Sequence, residues 1–151
     1  MINKISFRTK IGWISAFEEN GKIFKISFGR LKKNNYSLIL EKFKEKLLNF
    51  YKKKIDLINV PYEMRGNFIQ KKIWKELKKI EIGKTKTYGE IAKKAKLSPR
   101  HVGKICGQNK LVLLIPCHRV IRSDGNLGGF SSSGGVKLKK KLLNFEKKWK
   151  S

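Results

Sequence analysis

A cysteine in the second half of the chain has the neighbours that a reactive thiol needs. Cys117 follows Pro116 at the end of an apolar run, and His118 and Arg119 come directly after it. Both can stabilise a thiolate, which is the nucleophilic form of cysteine. Adjacent side chains on a strand point to opposite faces, so contact between Cys117 and His118 requires a turn or an intervening water. Taken alone, these residues suggest a nucleophile without establishing one.

The other cysteine has a structural explanation. Cys106 lies one turn after Val102 on the apolar face of a predicted helix, where a free cysteine behaves as a small hydrophobic residue. Two cysteines cannot build a disulfide framework. The cysteines and histidines are also too few and unsuitably spaced for a four-ligand zinc site, and none precedes His101. We therefore expect no metal site.

The segments on either side of Cys117 are predicted to include two longer helices. Asn67 begins one of them with a capping box, and the apolar stripe of that helix ends before Gly83. The apolar run at 111–115 is too short for a helix and is predicted to be buried and extended. A Gly- and Ser-rich loop at 125–135 precedes the last helix. The residues predicted to face the core are Ile69, Ile73, Leu77 and Ile80 on the first of these helices, and Leu138, Leu142, Phe145 and Trp149 on the last.

Two short helices are predicted between them. Thr87 begins the first with a capping box, and Ser98 caps the second with Pro99 at its first position. About three residues separate the two helices, which is typical of a helix-turn-helix. On the second helix the predicted outward residues are Arg100, His101, Lys104 and Gln108, and the predicted inward ones are Val102, Ile105 and Cys106.

The first half of the chain predicts strands followed by a helix. Segments 2–7, 13–17 and 22–28 are rich in β-branched and aromatic residues, and Asn20-Gly21 is a strong hairpin signal. The helical face that follows consists of Leu40, Phe43, Leu47, Phe50 and Tyr51. We therefore predict an α+β protein with an N-terminal α/β domain at 1–60, a linker at 61–66 and a C-terminal domain at 67–151.

Composition and charge restrict the function further. The 151 residues carry 37 Lys and Arg against 11 Asp and Glu, a net charge of +26. Their 40% hydrophobic and 11% aromatic content favours a folded chain over a disordered one. No apolar run approaches the roughly 18–20 residues that span a bilayer, and the N-terminus lacks the apolar core of a signal peptide. We therefore expect a soluble, cytoplasmic protein with no membrane partner.

The basic charge is uneven along the chain. Residues 1–65 carry a net charge of +9, and residues 66–151 carry +17. A surface this basic favours a nucleic acid as partner, and the second half is then the expected DNA-binding half. A lysine-rich proteome is the competing explanation for much of the excess charge.

Five blocks of sequence, in order over residues 66–146, resemble the O6-alkylguanine-DNA alkyltransferase family (methylated-DNA–protein-cysteine methyltransferases). The blocks are Thr-Tyr-Gly-Glu-Ile-Ala at 87–92, Ser-Pro-Arg-His-Val-Gly at 98–103 with Asn109 after it, Ile-Pro-Cys-His-Arg-Val-Ile at 115–121, Gly-Gly-Phe-Ser at 128–131 and Leu-Leu-Asn-Phe-Glu at 142–146. The resemblance implies a small RNase H-like N-terminal domain and a winged-helix-like C-terminal domain. It also implies single-turnover DNA repair that needs no cofactor, because the protein itself accepts the alkyl group.

The resemblance assigns the reacting groups. Cys117 would take the alkyl group from guanine O6 by in-line displacement, after the base has left the stack. His118 would act as general base through a water, and Glu146 would orient the imidazole. Without the resemblance, the residues alone predict that Glu146 is a solvated helix residue beside Lys147.

The resemblance also assigns the contacts with double-stranded DNA. The protein would bind as a monomer, with its helix-turn-helix in the minor groove. Arg100 would fill the gap left by the flipped nucleotide, with a simple phosphate contact as the alternative. Tyr88 would help rotate the 3′ phosphate and donate to the guanine ring, with a core or capping role as the alternative. Asn109 would hold the turn before the active-site strand. The remaining residues assigned to DNA or base binding are Arg119, Val120 and Ser131.

The sequence departs from the family pattern at four places. Lys110 follows Asn109 where proline is frequent, and the turn between the short helices is about two residues shorter than in some members. Phe130 replaces a usual tyrosine, and the serine-rich loop after it is slightly longer. None of these removes a reacting group. The last two leave the lesion preference open, with O4-alkylthymine as a second candidate substrate.

Two other functions stay open at this point. A non-catalytic protein that binds alkylated DNA would replace the acceptor cysteine, so Cys117 argues against it. A basic helix-turn-helix transcriptional regulator would bind specific sequences, usually as a dimer, and would leave Cys117 unexplained.

Overall fold

The computed structural model describes residues 1–55, 57–128 and 135–149. The chain divides into two compact units, Met1–Arg65 and Gly66–Ser151. Each unit is described by itself.

The first unit begins with an antiparallel sheet. Strands β1 (Ile2–Thr9), β2 (Gly12–Glu19) and β3 (Lys22–Phe28) lie in the order β1-β2-β3. Asn20 and Gly21 both have positive φ (53° and 79°), the conformation that a tight hairpin requires at its two central positions. The predicted strands and hairpin are confirmed.

One helix covers the sheet of the first unit. Helix α1 (Leu38–Tyr51) is capped by Ser37, whose side chain accepts a hydrogen bond from the Leu40 N–H. The five residues of its predicted inward face are all buried. Phe43 meets Phe7 of β1 edge to face, with ring centroids 6.1 Å apart.

Part of the segment predicted as a linker, 61–66, is bound to the sheet. The Ile23 N–H donates to the Pro61 carbonyl at 3.0 Å, and the Glu63 N–H donates to the Ile23 carbonyl at 2.8 Å. The segment has no hydrophobic period, because edge pairing uses backbone groups and leaves no pattern in the side chains.

The second unit is mainly helical. In its described residues the helices are α2 (Phe68–Leu77), α3 (Tyr88–Ala95), α4 (Pro99–Gly107) and α5 (Gly135–Trp149), and a 3₁₀ turn lies at Cys117–Arg119. Two short parallel strands, β4 (Lys86–Thr87) and β5 (Val120–Ile121), join the start of α3 to the chain after the turn. Thr87 caps α3 and Ser98 caps α4, so the predicted helix-turn-helix is present.

Helix α2 differs from its prediction. It begins with the predicted capping box at Asn67 but ends at Leu77, well before Gly83. Ile69, predicted to be buried, is 42% exposed. Trp74 is inward instead, and its indole N–H donates to the Ile105 carbonyl on α4 at 3.0 Å. Because Trp74 packs inward, the buried face of this ten-residue helix consists of Ile73, Trp74 and Leu77 and does not include Ile69.

The run at 111–115 is buried, as predicted, but it is not extended. It turns back at Leu113, which has a φ of 75°, and the Ile115 N–H donates to the Leu111 carbonyl at 2.8 Å. Asn109 holds both ends of this turn. Its side chain donates to the Ile115 carbonyl and accepts from the Leu111 N–H, each at 2.9 Å.

The buried face of α5 also differs from its prediction. Lys139, Leu142 and Glu146 are buried, whereas the predicted Leu138, Phe145 and Trp149 are only partly covered. Helix α5 therefore places two charged side chains, Lys139 and Glu146, in the interior of this unit. No helix in the described part of the chain is long and apolar enough to cross a membrane.

Candidate active site

Cys117 and His118 lie in one tight turn instead of on a strand. The 3₁₀ turn follows Pro116, whose carbonyl accepts the Arg119 N–H at 3.0 Å. The two side chains are 4% and 1% exposed. A turn can bury both neighbours on one side, which the alternation of a strand cannot. The geometric objection to pairing a thiol with the next residue is therefore removed.

A carboxylate from α5 fixes the histidine. Nε2 of His118 and Oε2 of Glu146 are 2.6 Å apart, and because a carboxylate can only accept, the imidazole nitrogen is the donor. Arg119 donates two hydrogen bonds to the same carboxylate, from Nε to Oε1 at 2.7 Å and from Nη2 to Oε2 at 3.1 Å. A third bond ties Arg119 Nη1 to the Ile80 carbonyl at 2.6 Å. The hydrogen bonds from His118 and Arg119 therefore fix the position of the Glu146 carboxylate in the site.

The charges in this cluster follow from its contacts. Burial raises the pKa of Glu146, but hydrogen bonds from His118 and Arg119, together with the charge of Arg119, outweigh it and bring the pKa to about 2. Burial lowers the pKa of His118, and Glu146 opposes that only in part, so the imidazole is neutral at pH 7. Nδ1 of His118 then carries a lone pair, is buried and has no hydrogen-bond partner among the described residues. This nitrogen can accept a proton.

The Cys117 thiol is held in its protonated form at rest. Burial raises its pKa, and a hydrogen bond from Asn109 and the charge of Lys139 offset only part of that rise. Activation therefore depends on a base that removes the proton during the reaction, as His118 can.

A cavity of about 900 Å³ opens beside the thiol. Its wall combines α3, α4, the 3₁₀ turn and the chain after β5, and it includes Tyr88, Arg100, Cys106 and Cys117. Gly128 (φ 74°) packs closely against Tyr88. A Cβ added at Gly128 would lie 3.2 Å from the phenolic oxygen. A volume of this order is typical of sites that bind a small molecule.

Lys139 is a site residue that the sequence analysis missed. It is 0% exposed, and its Nζ donates to the Tyr88 hydroxyl at 3.2 Å and lies 5.5 Å from the ring centroid. A signal was present in the sequence, because Lys139, Leu142 and Glu146 follow the three- and four-residue spacing of one helical face. The prediction used only the apolar residues of this helix to define its inward face, and it therefore left Lys139 out.

The residues assigned to DNA or base binding lie in different surroundings. Arg100 is exposed in the first turn of α4 and lines the cavity. Val120 is fully buried, so its side chain is not available to a ligand in this structure. The assignment of Arg119 to DNA binding is wrong in this structure, because its guanidinium is buried and donates to Glu146 and Ile80. Ser131 lies outside the described residues, as does Phe130.

Comparisons with known proteins agree on one family. A family profile described as "6-O-methylguanine DNA methyltransferase, DNA binding domain" matches residues 68–148. A methylated-DNA–protein-cysteine methyltransferase of Metallosphaera sedula is 36% identical over 97% of this chain and 94% of its own length.

Solved structures give the same result. The crystal structure of Mycobacterium tuberculosis OGT in complex with DNA matches with a TM-score of 0.86 and 26% identity, over 97% of this chain and 93% of that one. An O6-methylguanine DNA methyltransferase of Methanococcus jannaschii matches with a TM-score of 0.68 and 29% identity, over 95% of this chain and 93% of that one.

Proposed function

This chain belongs to the O6-methylguanine DNA methyltransferase family, and on that premise we propose that it repairs DNA by moving an alkyl group from guanine O6 onto Cys117. The observation that carries the proposal is the buried 2.6 Å contact between His118 and Glu146 of α5, because His118 shares its 3₁₀ turn with a thiol that lines a cavity of about 900 Å³. Tyr88 and Arg100 of the matched motifs line the same cavity, and the Asn109 side chain is hydrogen-bonded to the thiol.

The reaction begins with loss of the thiol proton. Nδ1 of His118 takes this proton through one water, and Glu146 stabilises the resulting imidazolium across the 2.6 Å contact. The sulfur then attacks the alkyl carbon in line, so that a C–S bond forms as the C–O6 bond breaks. The electron pair of the broken bond stays on the guanine, which takes one proton from solvent, and the His118 imidazolium returns the thiol proton to solvent. The base stays in the DNA as normal guanine. No added cofactor takes part in this balance.

Access to the thiol requires a flipped base. Cys117 is 4% exposed, so the O6 atom of a stacked guanine cannot reach it, and the nucleotide must enter the cavity. Arg100 is exposed at the rim and can occupy the space that the nucleotide leaves. We propose that α4 enters the minor groove of double-stranded DNA, which suits a protein that searches for damage without sequence preference.

We further propose that the protein acts as a monomer in the cytoplasm. All of the groups that the reaction uses come from one unit of one chain, so the site requires no second copy. Cys106 and Cys117 are free thiols, the form that the reducing cytoplasm maintains.

A basic helix-turn-helix regulator accounts for less of the structure. Such a protein needs α3 and α4, but it has no use for a buried Cys117, His118 and Glu146 arranged around a cavity. A protein that only binds lesions likewise has no use for the acceptor thiol.

The test is mass spectrometry after incubation with a duplex that contains O6-methylguanine. We expect a gain of one methyl group that saturates at one per protein and lies in the peptide that contains Cys117. The Cys106 peptide of the same protein is the internal control, and Cys117→Ser is expected to bind the duplex without any gain. Binding without methylation by the reduced wild-type protein would overturn the proposal and favour a lesion-binding or regulatory function.

A further inference from the structure

The sheet of the first unit carries two aromatic rings that the proposed reaction does not use. Helix α1 covers one face of this sheet, and the opposite face is called the outer face below. Along β2, Trp13 and Phe17 alternate with the buried Ile14 and Ala16, so both rings lie on the outer face, where they stay partly exposed. Two large rings are therefore at the surface of this unit instead of in its core.

Trp13 lies between two arginines. The strand register places Arg8 of β1 directly opposite Trp13, and the guanidinium of Arg30 lies 4.7 Å from the centroid of the Trp13 ring. Both arginines are exposed, and neither is paired with a carboxylate among the described residues. A guanidinium keeps its N–H groups in its own plane, so Arg30 can lie over the indole and still donate to a phosphate.

Phe17 has the same arrangement, and a β-bulge adds a second ring. Lys4 of β1 and Lys25 of β3 both lie opposite Phe17, and the Lys25 Nζ is 5.2 Å from the centroid of the Phe17 ring. The register shifts after Phe17, which leaves Phe24 as an extra residue in β3. A bulge lets two consecutive residues oppose one on the partner strand, so Phe24 also lies against Phe17, with ring centroids 6.3 Å apart.

Small side chains separate these two clusters. Ser6, Ser15 and Ser27 lie side by side on the three strands, in the row midway between Trp13 and Phe17. Four residues of an extended strand separate the two rings, a distance of about 13 Å. One flexible chain can therefore cross the low row of serines and contact both clusters.

We propose that the outer face is a second DNA-binding surface and that it takes a single strand. Phosphates pair with the cations of such a surface, while unpaired bases stack on its rings and guanidinium planes. The bases of a duplex are stacked on one another and offer no free face to a ring. The residues that form the surface are Lys4, Arg8, Trp13, Phe17, Lys25 and Arg30.

Charge and family membership favour DNA over other occupants. A second copy of a chain with a net charge of +26 would bring like charges to a basic face. Residues 68–148 match a DNA-binding domain, so DNA is the polymer that this chain meets. The inference goes beyond the proposed function, because the surface lies in the first unit and takes no part in alkyl transfer to Cys117.

The test uses a labelled oligothymidine of about 16 nucleotides, a length that one such surface can bind. The full-length protein is first saturated with an unmodified duplex, which occupies the helix-turn-helix. We expect fluorescence anisotropy to show that the oligothymidine binds this complex without displacing the duplex. With one 5-iodouracil in its sequence, the same probe should crosslink under light to the tryptic peptide 11–22, which contains Trp13 and Phe17.

Substitutions separate the rings from the cations. Trp13→Leu removes a stacking ring and should weaken binding of the probe about tenfold. Lys25→Ala with Arg30→Ala should also weaken it, and should reduce the slope of log Kd against log salt by about 1.4, since each phosphate contact of a single strand contributes about 0.7. Lys42→Ala with Lys52→Ala removes the same charge from α1, and this control should change the Kd less than twofold and leave the slope unchanged.

Several results would overturn the inference. They are crosslinks confined to residues 66–151, displacement of the duplex by the probe, and wild-type affinity in both the Trp13 variant and the Lys25 and Arg30 variant. Tighter binding of oligouridine would identify the partner as RNA. If the substitutions instead convert a dimer of the protein alone to a monomer in sedimentation, the face is a contact between copies.

Failure of this inference can be distinguished from failure of the proposed function. All variants should transfer the methyl group to Cys117 at the wild-type rate, and a wild-type protein that transfers none would still give a result in the oligothymidine experiment. Circular dichroism melting shows whether each variant is folded. If Trp13→Leu does not fold, the crosslinked peptide and the Lys25 and Arg30 variant decide the test.

Discussion

Cys117 and Cys106 line the same cavity but differ in what surrounds them. Their exposed fractions are 4% and 6%, and burial raises the pKa of both thiols, that of Cys106 to about 12. Exposure and resting acidity therefore do not distinguish them. Cys117 lies in a turn beside a histidine that is bound to a carboxylate, whereas Cys106 lies on the apolar face of α4. Among the described residues, no imidazole or carboxylate is bonded to Cys106.

This difference shows what makes a buried thiol reactive here. Neither cysteine is a stored thiolate, because desolvation disfavours the charged form of both. Only Cys117 has a neutral base whose unused nitrogen can take its proton when an electrophile arrives. The difference in reactivity should therefore depend on His118, its carboxylate and the pH at which the imidazole is neutral.

The largest expected effect comes from removing the base. His118→Ala should slow methyl transfer to Cys117 about 1000-fold, within the range that general bases contribute. It should also reduce the rate at which iodoacetamide labels Cys117 to the slow rate of Cys106. Transfer is measured under single-turnover conditions, and labelling by peptide mass spectrometry. His101→Ala, an exposed histidine on α4, is the control. Near-normal transfer by His118→Ala would remove the distinction between the two cysteines.

The next effect concerns the carboxylate that orients the base. Glu146→Gln keeps the shape of the side chain but leaves the buried guanidinium of Arg119 without its ion-pair partner. Breaking a buried pair in this way typically costs about 3–5 kcal/mol of folding free energy. We expect a loss of that size in denaturant unfolding, with transfer to Cys117 slowed as well.

Arg119 provides the control for the Glu146 variant. Adding Arg119→Met to Glu146→Gln removes the unpaired charge, so it should restore stability while transfer stays slow. A Glu146→Gln protein whose free energy of unfolding stays within about 1 kcal/mol of the wild type would show that the pair contributes little to stability.

The sequence predicted the parts of this molecule that are built from apolar side chains at regular spacing. The strands, α1 and the caps of α3 and α4 are formed as expected, since each depends on local pattern or local capping. Ile69 was misplaced because its position depends on where Trp74 packs, a tertiary contact with no local signal.

The polar interior of the second unit was harder to predict. Cys117, His118 and Glu146 were named from a family resemblance, whereas the residues alone left Cys117 suggestive and Glu146 solvated. Arg119 was assigned to DNA and Lys139 was missed, because a charged residue on a short motif or a helix is expected at the surface. Their burial depends on partners that are distant in sequence. Arg119 donates to Glu146 and the Ile80 carbonyl, and Lys139 donates to the Tyr88 hydroxyl.

The pH dependence sharpens the comparison of the two thiols. His118 must be neutral to act, and burial holds its pKa below the ordinary value of 6.5. Transfer to Cys117 should therefore be constant around pH 7 and fall about tenfold per pH unit once the pH is below the pKa of His118. Iodoacetamide labelling of Cys106 should instead rise steadily with pH toward a pKa of about 12. An acid limb centred above pH 6.5 would contradict a neutral, buried base.

The smallest expected effect appears in the product. Cys117 is 4% exposed, and Asn109 and the His118 backbone lie against it, so we expect the added methyl group to press on these neighbours although the thiol also borders the cavity. Overpacking of this kind costs about 1–3 kcal/mol, and the methylated protein should melt at a lower temperature than the free protein once the DNA is removed. Thermal unfolding before and after one equivalent of methylated duplex measures the change, with unmethylated duplex as control. A melting temperature that stays equal or rises would mean that the cavity beside Cys117 takes the methyl group without strain. The surroundings of Cys117 would then differ from those of Cys106 in packing as well as in proton transfer.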